Sequence, residues 1–306
     1  MDEFFLGIDV GGTNVKAGLV KADGTLVSRQ KFSTAELRES GQFLEKFVQL
    51  IGTLLAQSPD VRRVGIGVPG TLSRKRRTTI DLPNVPELSG VKLHKILSEA
   101  FDKVEFFLEN DANAAALGEF YFSGQALPDD FIFITLGTGI GGAAVINGKL
   151  FKGGRGNSME IGHIITGNGR LLEENIGKEG LVRMTRQRLQ TYQGPSMLAD
   201  SVELNADDVE DAARKGDALA QEVFGQVGSI LGEGLVSAIR LLDANVILVG
   251  GGVSKVFEHV RPNLEQVLRQ RLPAYYTQDL DIRLATLGNN AGIIGAASLC
   301  LSEADA

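Results

Sequence analysis

The sequence predicts an α/β protein of two domains that face each other across a cleft. Strand-like and helical segments alternate along most of its 306 residues, with glycine clusters at the junctions. A strand, a glycine turn and a second strand follow one another at residues 6–13 (LGIDVGGT), and the same pattern returns at 134–142 (ITLGTGIGG). Two such units indicate two related domains, which we place at 1–113 with 290–306 (the smaller) and at 114–289 (the larger).

The hydrophobic pattern predicts the individual elements. Phe43, Phe47, Leu50 and Leu54 fall at helical spacing and predict an amphipathic helix, whereas unbroken apolar runs predict buried strands. Strands are predicted at 4–10, 15–20, 25–32, 61–68, 104–108, 131–136, 142–146 and 244–249. Helices are predicted at 36–57, 111–122, 206–242, 254–272 and 290–302.

Composition and charge limit the classes of function. The formal net charge of −7 argues against a nucleic-acid-binding surface as the main function. No apolar stretch reaches the ~20 residues that a membrane helix needs, and the N-terminus lacks the basic and apolar regions of a signal peptide. The lone cysteine, Cys300, fits a reducing compartment. We therefore expect a cytoplasmic protein that binds neither nucleic acid nor membrane.

One basic cluster stands out at 74–77 (RKRR). A charge run of this kind usually forms a solvated face, which is the favoured interpretation here. A contact with an anionic ligand is the alternative.

The first glycine turn (DVGGTNVK, 9–16) could hold phosphate groups. Gly11 and Gly12 let the backbone turn tightly and bring its N–H groups close to an anion. Thr13 adds a hydroxyl group, and the carboxylate of Asp9 can orient a hydrated Mg²⁺. A plain hairpin turn with a satisfied aspartate explains the spacing equally well.

The second glycine turn (GTGIGG, 137–142) matches G-x-G-x-x-G, and so does the segment 65–70 (GIGVPG). A dinucleotide site needs a helix directly after this fingerprint. A predicted strand follows Gly142, and a polar, basic loop follows Gly70. Both matches therefore fail as evidence for a dehydrogenase, and the second turn is better explained as a hairpin that holds phosphate.

A third glycine cluster, Gly250, Gly251 and Gly252, follows a predicted strand and opens a helix. Glycines at this position let a flat ligand lie on the backbone, and a helix N-terminus favours negative charge. The segment is not a Walker A sequence, because the G-x-x-x-x-G-K-[ST] pattern is absent.

Asn110 and Asp111 stand where a predicted strand ends and a helix begins (LENDANAAA, 108–116). Either residue could simply cap the helix, but a cap needs only one, and four polar groups cluster here. A carboxylate at a strand end over a cleft can accept a proton from a substrate hydroxyl group. Phosphoryl transfer needs such a base together with neutralisation of the phosphate charges.

Glu160 and His163 form a Glu-x-x-His pair. The chain has three histidines and no cysteines to support a zinc site, so zinc is not expected here. The pair suits hydrogen bonding to neighbouring hydroxyl groups of a sugar. A satisfied structural pair is the alternative.

Together and in this order, the motifs resemble the ROK family of sugar kinases and related repressors, over residues 4–300. The resemblance implies the two-domain actin/hexokinase-like (ribonuclease H-like) fold, ATP and Mg²⁺ as cofactors, a homodimer, and Asp111 as the general base. The implied sugar ligands are Gly70, Asn84, Asn110, Asp111, Glu160, His163 and Glu173. The implied nucleotide-binding residues are Asp9, Gly11, Gly12, Thr13, Lys16, Thr138, Gly139, Gly251 and Gly252, with Asp9 also contacting Mg²⁺ indirectly.

The resemblance breaks at one segment. Family members commonly carry a zinc-binding C-x-C-G-x-x-G-C segment after the histidine, whereas residues 167–173 read GNGRLLE without any cysteine. Glu173 still falls on the family's sugar-contacting glutamate. We therefore expect no zinc, and we hypothesise that apolar packing of Leu171 and Leu172 replaces it.

Several activities within and beside the family remain open. Family repressors place a helix-turn-helix domain before the kinase-like part, whereas this sequence starts almost at its first strand. A non-catalytic sugar-binding protein would not need the phosphate-type turns and Asp111 together. Glucose, phosphorylated at its 6-hydroxyl group, fits the resemblance best, with N-acetylated hexosamines, mannose and fructose as alternatives. Inorganic polyphosphate is the alternative to ATP as phosphoryl donor.

Overall fold

The structure is a computed structural model that describes residues 3–137 and 139–302. These residues form strands β1 (Phe4–Val10), β2 (Asn14–Lys21), β3 (Leu26–Ser33), β4 (Arg63–Val68), β5 (Thr71–Leu72), β6 (Thr79–Asp81), β7 (Glu105–Asn110), β8 (Phe131–Leu136), β9 (Ile140–Ile146), β10 (Lys149–Leu150), β11 (Val246–Gly251) and β12 (Asp281–Leu284). They also form helices α1 (Thr34–Arg38), α2 (Phe43–Gln57), α3 (Leu93–Ala100), α4 (Asp111–Phe122), α5 (Leu172–Ile176), α6 (Lys178–Leu189), α7 (Ala206–Arg214), α8 (Ala218–Leu242), α9 (Phe257–Arg271), α10 (Ala274–Thr277) and α11 (Ala291–Ser302). Within these two ranges, no helix has both the length and the apolar character that crossing a membrane requires.

The chain divides into two compact units. The first unit contains the described residues up to Leu127, the segment Ala143–Ser158 and the described residues from Thr286 onward. The second unit contains Pro128–Gly142 and Met159–Ala285. Each unit has its own large hydrophobic core. The units run differently from the ranges 1–113 with 290–306 and 114–289, which stay a prediction about domains.

The first unit is built on a five-stranded sheet in the order β3-β2-β1-β4-β7. β1, β2 and β3 are antiparallel neighbours, whereas β4 and β7 run parallel to β1. Helix α11 lies directly on the backbone of β1 and β4. A Cβ atom at Gly7 would overlap the carbonyl oxygen of Ile293, and one at Gly65 would overlap that of Ala296. Only glycine therefore permits this close approach.

Helix α4 packs against α11 in the same unit. A Cβ atom at Gly118 would lie 2.8 Å from the Cα atom of Gly295, which is closer than side chains approach one another. Small residues thus fix α4, whose first residue is Asp111, to the helix that lies on the central strands.

The second sheet has the order β10-β9-β8-β11-β12, and the chain passes from the second unit to the first within β9. In the second unit, β11 runs parallel to both β8 and β12. Helices α8 and α9 pack closely, because a Cβ atom at Gly228 would overlap the carbonyl oxygen of Val260. The C-terminal ends of β8 and β11 carry the second and third glycine clusters.

The structure confirms the predicted strands within a few residues and corrects two predicted helices. The helix predicted at 36–57 is wrong in extent: α1 and α2 are separate, because Gly41 adopts a φ of +69° between them. The helix predicted at 206–242 is also interrupted. Gly216 adopts a φ of +89°, and the side chain of Asp217 then caps α8 by accepting a hydrogen bond from the N–H group of Ala220.

Candidate active site

The first glycine turn joins β1 to β2 in the first unit. The N–H group of Gly11 donates to the carbonyl oxygen of Asn14 at 3.0 Å. Asp9 and Lys16 face each other across the hairpin, with Lys16 Nζ 3.3 Å from Asp9 Oδ2. A Cβ atom at Gly292 would overlap this same oxygen, so the Asp9 carboxylate lies against the first turn of α11. The helix N-terminus favours the negative charge there.

Helix α1 fixes the conformation of this turn. The hydroxyl group of Thr34 donates to the carbonyl oxygen of Gly11 at 2.7 Å, and the N–H group of Thr34 donates to the carbonyl oxygen of Thr13 at 3.0 Å. Helix α1 thereby fixes two carbonyl groups of the turn, one on each side of Gly12. The intervening N–H groups keep one orientation.

Arg38, at the end of α1, connects this turn to the segment that carries Asn84. Its guanidinium group donates to the carbonyl oxygens of Asn84 (2.9 Å) and Gly12 (3.3 Å). Its Nε atom lies 2.6 Å from Glu87 Oε1, and this hydrogen bond lowers the pKa of Glu87. The structure therefore brings the predicted phosphate turn and a predicted sugar ligand together. No sequence motif marks Arg38, which is the last residue of a short helix.

Asn110 caps helix α4. Its side-chain oxygen accepts hydrogen bonds from the N–H groups of Ala112 (2.9 Å) and Asn113 (3.2 Å), and its amide nitrogen donates to the carbonyl oxygen of Gly70 (3.2 Å). Gly70 adopts a φ of +121°, where a side chain would also overlap the carbonyl oxygen of Asp81. The capping role considered for this motif is thus filled by Asn110.

Asp111 is the first residue of α4 and is half-buried. Its Oδ1 atom accepts a hydrogen bond from the N–H group of Ala112 at 2.8 Å. The partial positive charge of the helix N-terminus favours the ionised carboxylate. An ionised carboxylate is the form that a general base requires.

The basic cluster at 74–77 does not behave as one solvated loop. Arg74, Lys75 and Arg77 are exposed, whereas Arg76 is buried and its Nε atom lies 2.9 Å from Glu109 Oε2. The interpretation as a solvated face is therefore wrong for Arg76. Its partner is a buried carboxylate of the protein, two residues before Asp111.

In the second unit, the glycine turn between β8 and β9 contacts Glu173. The N–H group of Ile140 donates to Glu173 Oε2 at 2.8 Å, and a Cβ atom at Gly139 would overlap this oxygen. Glycine at this position therefore admits the carboxylate. Thr138, predicted to bind nucleotide, lies outside the described residues.

Glu160 precedes a 3₁₀ turn that ends at His163. The turn packs on the same hairpin, because a Cβ atom at Gly162 would overlap the carbonyl oxygen of Ile140. His163 Nδ1 lies 3.8 Å from Glu160 Oε2. Partial burial raises the pKa of Glu160, the negative charge of Glu173 raises it further, and His163 opposes the shift. The charges of His163 and Glu173 thus act on Glu160, so the three predicted sugar ligands of the second unit lie near one another.

The segment that differs from the zinc-binding pattern is held largely by polar contacts. Leu172 is buried in the core, as hypothesised, but Leu171 is only half-buried. The buried amide of Asn175 donates to the hydroxyl group of Thr166 at 2.7 Å and to the side-chain oxygen of Asn168 at 3.1 Å. Apolar packing is therefore only part of what holds this segment. In the described ranges, no three His, Cys, Asp or Glu side chains are placed to share a metal ion, and the expected lack of zinc stays a prediction.

The third glycine cluster borders a cavity of about 150 Å³ in the second unit. Gly251 adopts a φ of +86°, and a Cβ atom there would overlap the carbonyl oxygen of Leu136 on the neighbouring strand. The cavity lies beside Gly252. Its apolar lining comprises Leu136, Ile176, Leu181, Ala206, Phe224, Val227 and Val253, and its charged lining comprises Lys178, Asp207, Glu210 and Lys255. The apolar part of this lining suits a flat aromatic ring.

The structural relatives show the class: the chain is a sugar phosphotransferase with the actin/hexokinase-like fold. The sequence profile of the ROK family matches residues 5–303, and the chain belongs to this family.

Three relatives illustrate the similarity. The glucokinase of Thermotoga maritima is 32% identical, over 96% of each chain. A protein of Cytophaga hutchinsonii, provisionally assigned as a sugar kinase, is 43% identical in sequence; its crystal structure matches with a TM-score of 0.91 over 97% of this chain and 99% of that one. A ROK-family glucokinase from Streptomyces griseus, solved with glucose and AMPPNP, matches with a TM-score of 0.80 at 31% identity, over 97% and 99% of the two chains.

Proposed function

We propose that this ROK-family protein transfers the γ-phosphoryl group of ATP to a hydroxyl group of a hexose, with the 6-hydroxyl group of glucose preferred. The observation that carries the proposal is the placement of Asp111 at the start of α4, where Asn110 already supplies the helix cap. The helix therefore does not need Asp111 as its cap. Glucokinases at 31% and 32% identity over nearly the whole chain support the choice of glucose.

Candidate sugar-binding residues are assigned in each unit separately. In the first unit we assign Gly70, Asn84, Asn110 and Asp111, and in the second Glu160, His163 and Glu173. Carboxylate, amide and imidazole groups accept and donate the hydrogen bonds that neighbouring sugar hydroxyl groups need. The Glu160, His163 and Glu173 group supports a hexose because it offers several such groups in one place.

The phosphate groups of ATP are assigned to the two glycine turns, through Gly11, Gly12, Thr13 and Lys16 in the first unit and Thr138 and Gly139 in the second. Gly251 and Gly252, beside the cavity, are assigned to the adenosine. The carboxylate of Asp9, partly exposed and next to the first turn, has the oxygen chemistry that suits a hydrated Mg²⁺. When bound, Mg²⁺ neutralises charge on the transferred phosphoryl group.

In the reaction, the Asp111 carboxylate accepts the proton of the sugar hydroxyl group as the hydroxyl oxygen attacks the γ-phosphorus. The bond from the γ-phosphorus to the β,γ-bridging oxygen breaks, and ADP leaves with that oxygen. Backbone N–H groups of the turns and the ammonium group of Lys16 offset the charge on the phosphates. We also propose, from the resemblance and the composition, that the protein acts in the cytoplasm as a homodimer.

Inorganic polyphosphate is a second candidate donor, favoured by the exposed side chains of Arg74, Lys75 and Arg77. The cavity beside Gly252 favours ATP, because polyphosphate has no ring to fill it.

A coupled assay that crosses glucose, mannose, fructose and N-acetylated hexosamines with both donors tests the substrate assignment. Asp111→Asn should lower kcat by about 10²- to 10⁴-fold while the protein stays folded, because asparagine can still accept the hydrogen bond from Ala112. Asp102→Asn, at an exposed position, serves as the matched control. Near-normal turnover by Asp111→Asn would refute Asp111 as the base.

A further inference from the structure

We propose that the buried ion pair between Arg76 and Glu109 positions the catalytic base, by fixing the peptide segment that carries Asp111. The inference rests on the proposed function, because it assigns two positioning residues to that same reaction. It also gives a role to Arg76, the buried member of the basic cluster at 74–77, for which the interpretation as a solvated face is wrong.

Glu109 is the centre of the arrangement, and its side chain is 1% exposed. Its Oε2 atom lies 2.9 Å from Arg76 Nε and 3.2 Å from Lys152 Nζ. Its Oε1 atom accepts hydrogen bonds from the backbone N–H group of Asn110 (2.9 Å) and from the side-chain amide of Asn113 (3.1 Å). Each carboxylate oxygen thus has two partners, which leaves the group little freedom to rotate.

The two partners of Oε1 stand on either side of Asp111 in the chain. Asn110 precedes it and caps the helix, and Asn113 follows it within the first helical turn. A fixed carboxylate that bonds both neighbours holds the turn between them in one conformation. Glu109 itself points into the protein, so it acts on Asp111 through the backbone.

Arg76 extends this connection to a second part of the first unit. Its guanidinium group also donates to the carbonyl oxygen of Gly156, and its side chain is 6% exposed. The next residue, Asn157, bonds the N–H and carbonyl groups of Leu72 at 3.0 and 2.8 Å. The ion pair therefore joins the segment that carries the base to residues 156–157 of the same unit.

Stability alone does not explain a buried ion pair at this position. Apolar residues of similar volume usually give equal or greater stability than a buried ion pair, because both charges lose hydration. The Glu109 carboxylate accepts directional hydrogen bonds from the Asp111 segment, which an apolar side chain could not do. We therefore assign Arg76 and Glu109 as positioning residues, which hold the segment that carries Asp111 in one conformation.

The primary test is Glu109→Gln, which keeps the side-chain shape and removes the charge that holds Arg76 and Lys152. We expect kcat to fall about 10- to 100-fold, the effect of a small misplacement of a catalytic group, while the KM for ATP changes little. Glu105→Gln is the matched control, because Glu105 lies on the same strand, its side chain is 70% exposed, and its ion pair with Arg63 is long at 3.6 Å. Arg76→Met should also lower kcat. Arg76→Lys, which keeps the positive charge beside Glu109, should lower kcat less.

Hydrogen exchange of the backbone amides at 109–116 gives a readout that does not depend on the substrate. We expect faster exchange there in Glu109→Gln than in the wild type, with unchanged exchange in the second unit. If the wild type phosphorylates no hexose, the proposed function fails, and the exchange data still decide whether Glu109 fixes this segment. Lys152→Gln, at a 40% exposed side chain, provides a milder change should Glu109→Gln not fold. Unchanged kcat and unchanged exchange in the folded variants, even with a lower Tm, would overturn the proposal.

Discussion

Replacing Glu119 by glutamine tests how the first unit holds the segment that leads into α11. Glu119 lies on α4 and is fully buried. Its Oε2 atom accepts hydrogen bonds from the N–H group (3.1 Å) and the hydroxyl group (3.2 Å) of Thr286, and its Oε1 atom accepts one from the N–H group of Leu287 (2.8 Å). These bonds fix the chain just before the helix that supports Asp9.

The magnitude follows from the acceptors that are lost. Glutamine presents one side-chain oxygen where glutamate presents two, so either Leu287 or Thr286 loses the acceptor of its backbone N–H group. The NH₂ group of the glutamine, buried where Glu119 was, would face that N–H group without an acceptor, which costs about 1–3 kcal/mol in the free energy of unfolding. At about 2–4 °C per kcal/mol for folded units of about 150–250 residues, the Tm of the first unit should fall by roughly 2–12 °C.

Differential scanning calorimetry measures this change, and hydrogen exchange at 286–292 locates it. Glu99→Gln is the control, because Glu99 is 67% exposed and its ion pair is with Lys95 on the same helix. An exposed pair of this kind contributes about 0.3–0.5 kcal/mol. If Glu119→Gln melts at the same temperature as the control and exchanges no faster at 286–292, the hydrogen-bonding argument is refuted.

Three other contacts are testable by single substitutions. Burial raises the pKa of Glu160 above 4.5, so the folded protein is more stable when this carboxyl group is protonated. That contribution to the free energy of unfolding is present below pH 4.5 and is lost as the pH rises through the raised pKa. Glu160→Gln should therefore raise the Tm at pH 7 but not at pH 3, and it should weaken hexose binding. Gly139→Ala should displace the Glu173 carboxylate and raise the KM for hexose about 10- to 100-fold, and an unchanged KM would contradict this. Arg38→Met should raise the KM for hexose and for ATP by roughly 3- to 10-fold each, and more than Glu87→Gln does; a change in only one KM would argue against the bridge.

The elements with strong local signals were predictable from the sequence. Helix α4 begins and ends where predicted, because Asn110 caps it and a run of alanines follows. The breaks at Gly41 and Gly216 were missed because the hydrophobic pattern continues across them, and the positive φ of a glycine leaves no periodic signal. Helix α6 (KEGLVRMTRQRL) was also missed, since so few of its residues are apolar that no stripe is visible.

The positions of the site motifs could be predicted, whereas the contacts that hold them could not. Arg76 and Glu109 are 33 residues apart in the chain, and their pairing depends on how β7 and the loop before β6 come together. Within the run RKRR, nothing local distinguishes the one buried residue from its three exposed neighbours. Its backbone adopts a φ of +53°, a left-handed conformation that is uncommon for residues other than glycine. That conformation is set by tertiary packing.

The glycine turns have a second physical explanation besides access for phosphate. In the first unit, a Cβ atom at Gly12 would lie 3.1 Å from the Cβ atom of Asn84, and in the second unit one at Gly139 would overlap the carboxylate of Glu173. In each unit, therefore, a glycine of the predicted phosphate turn admits a predicted sugar ligand to direct contact with the turn. A larger residue at Gly12 or Gly139 would separate the sugar ligand from the turn, even if the turn could still bind phosphate. Under the proposed function these glycines serve phosphate binding as well as this contact, so substituting them should disturb the binding of both substrates.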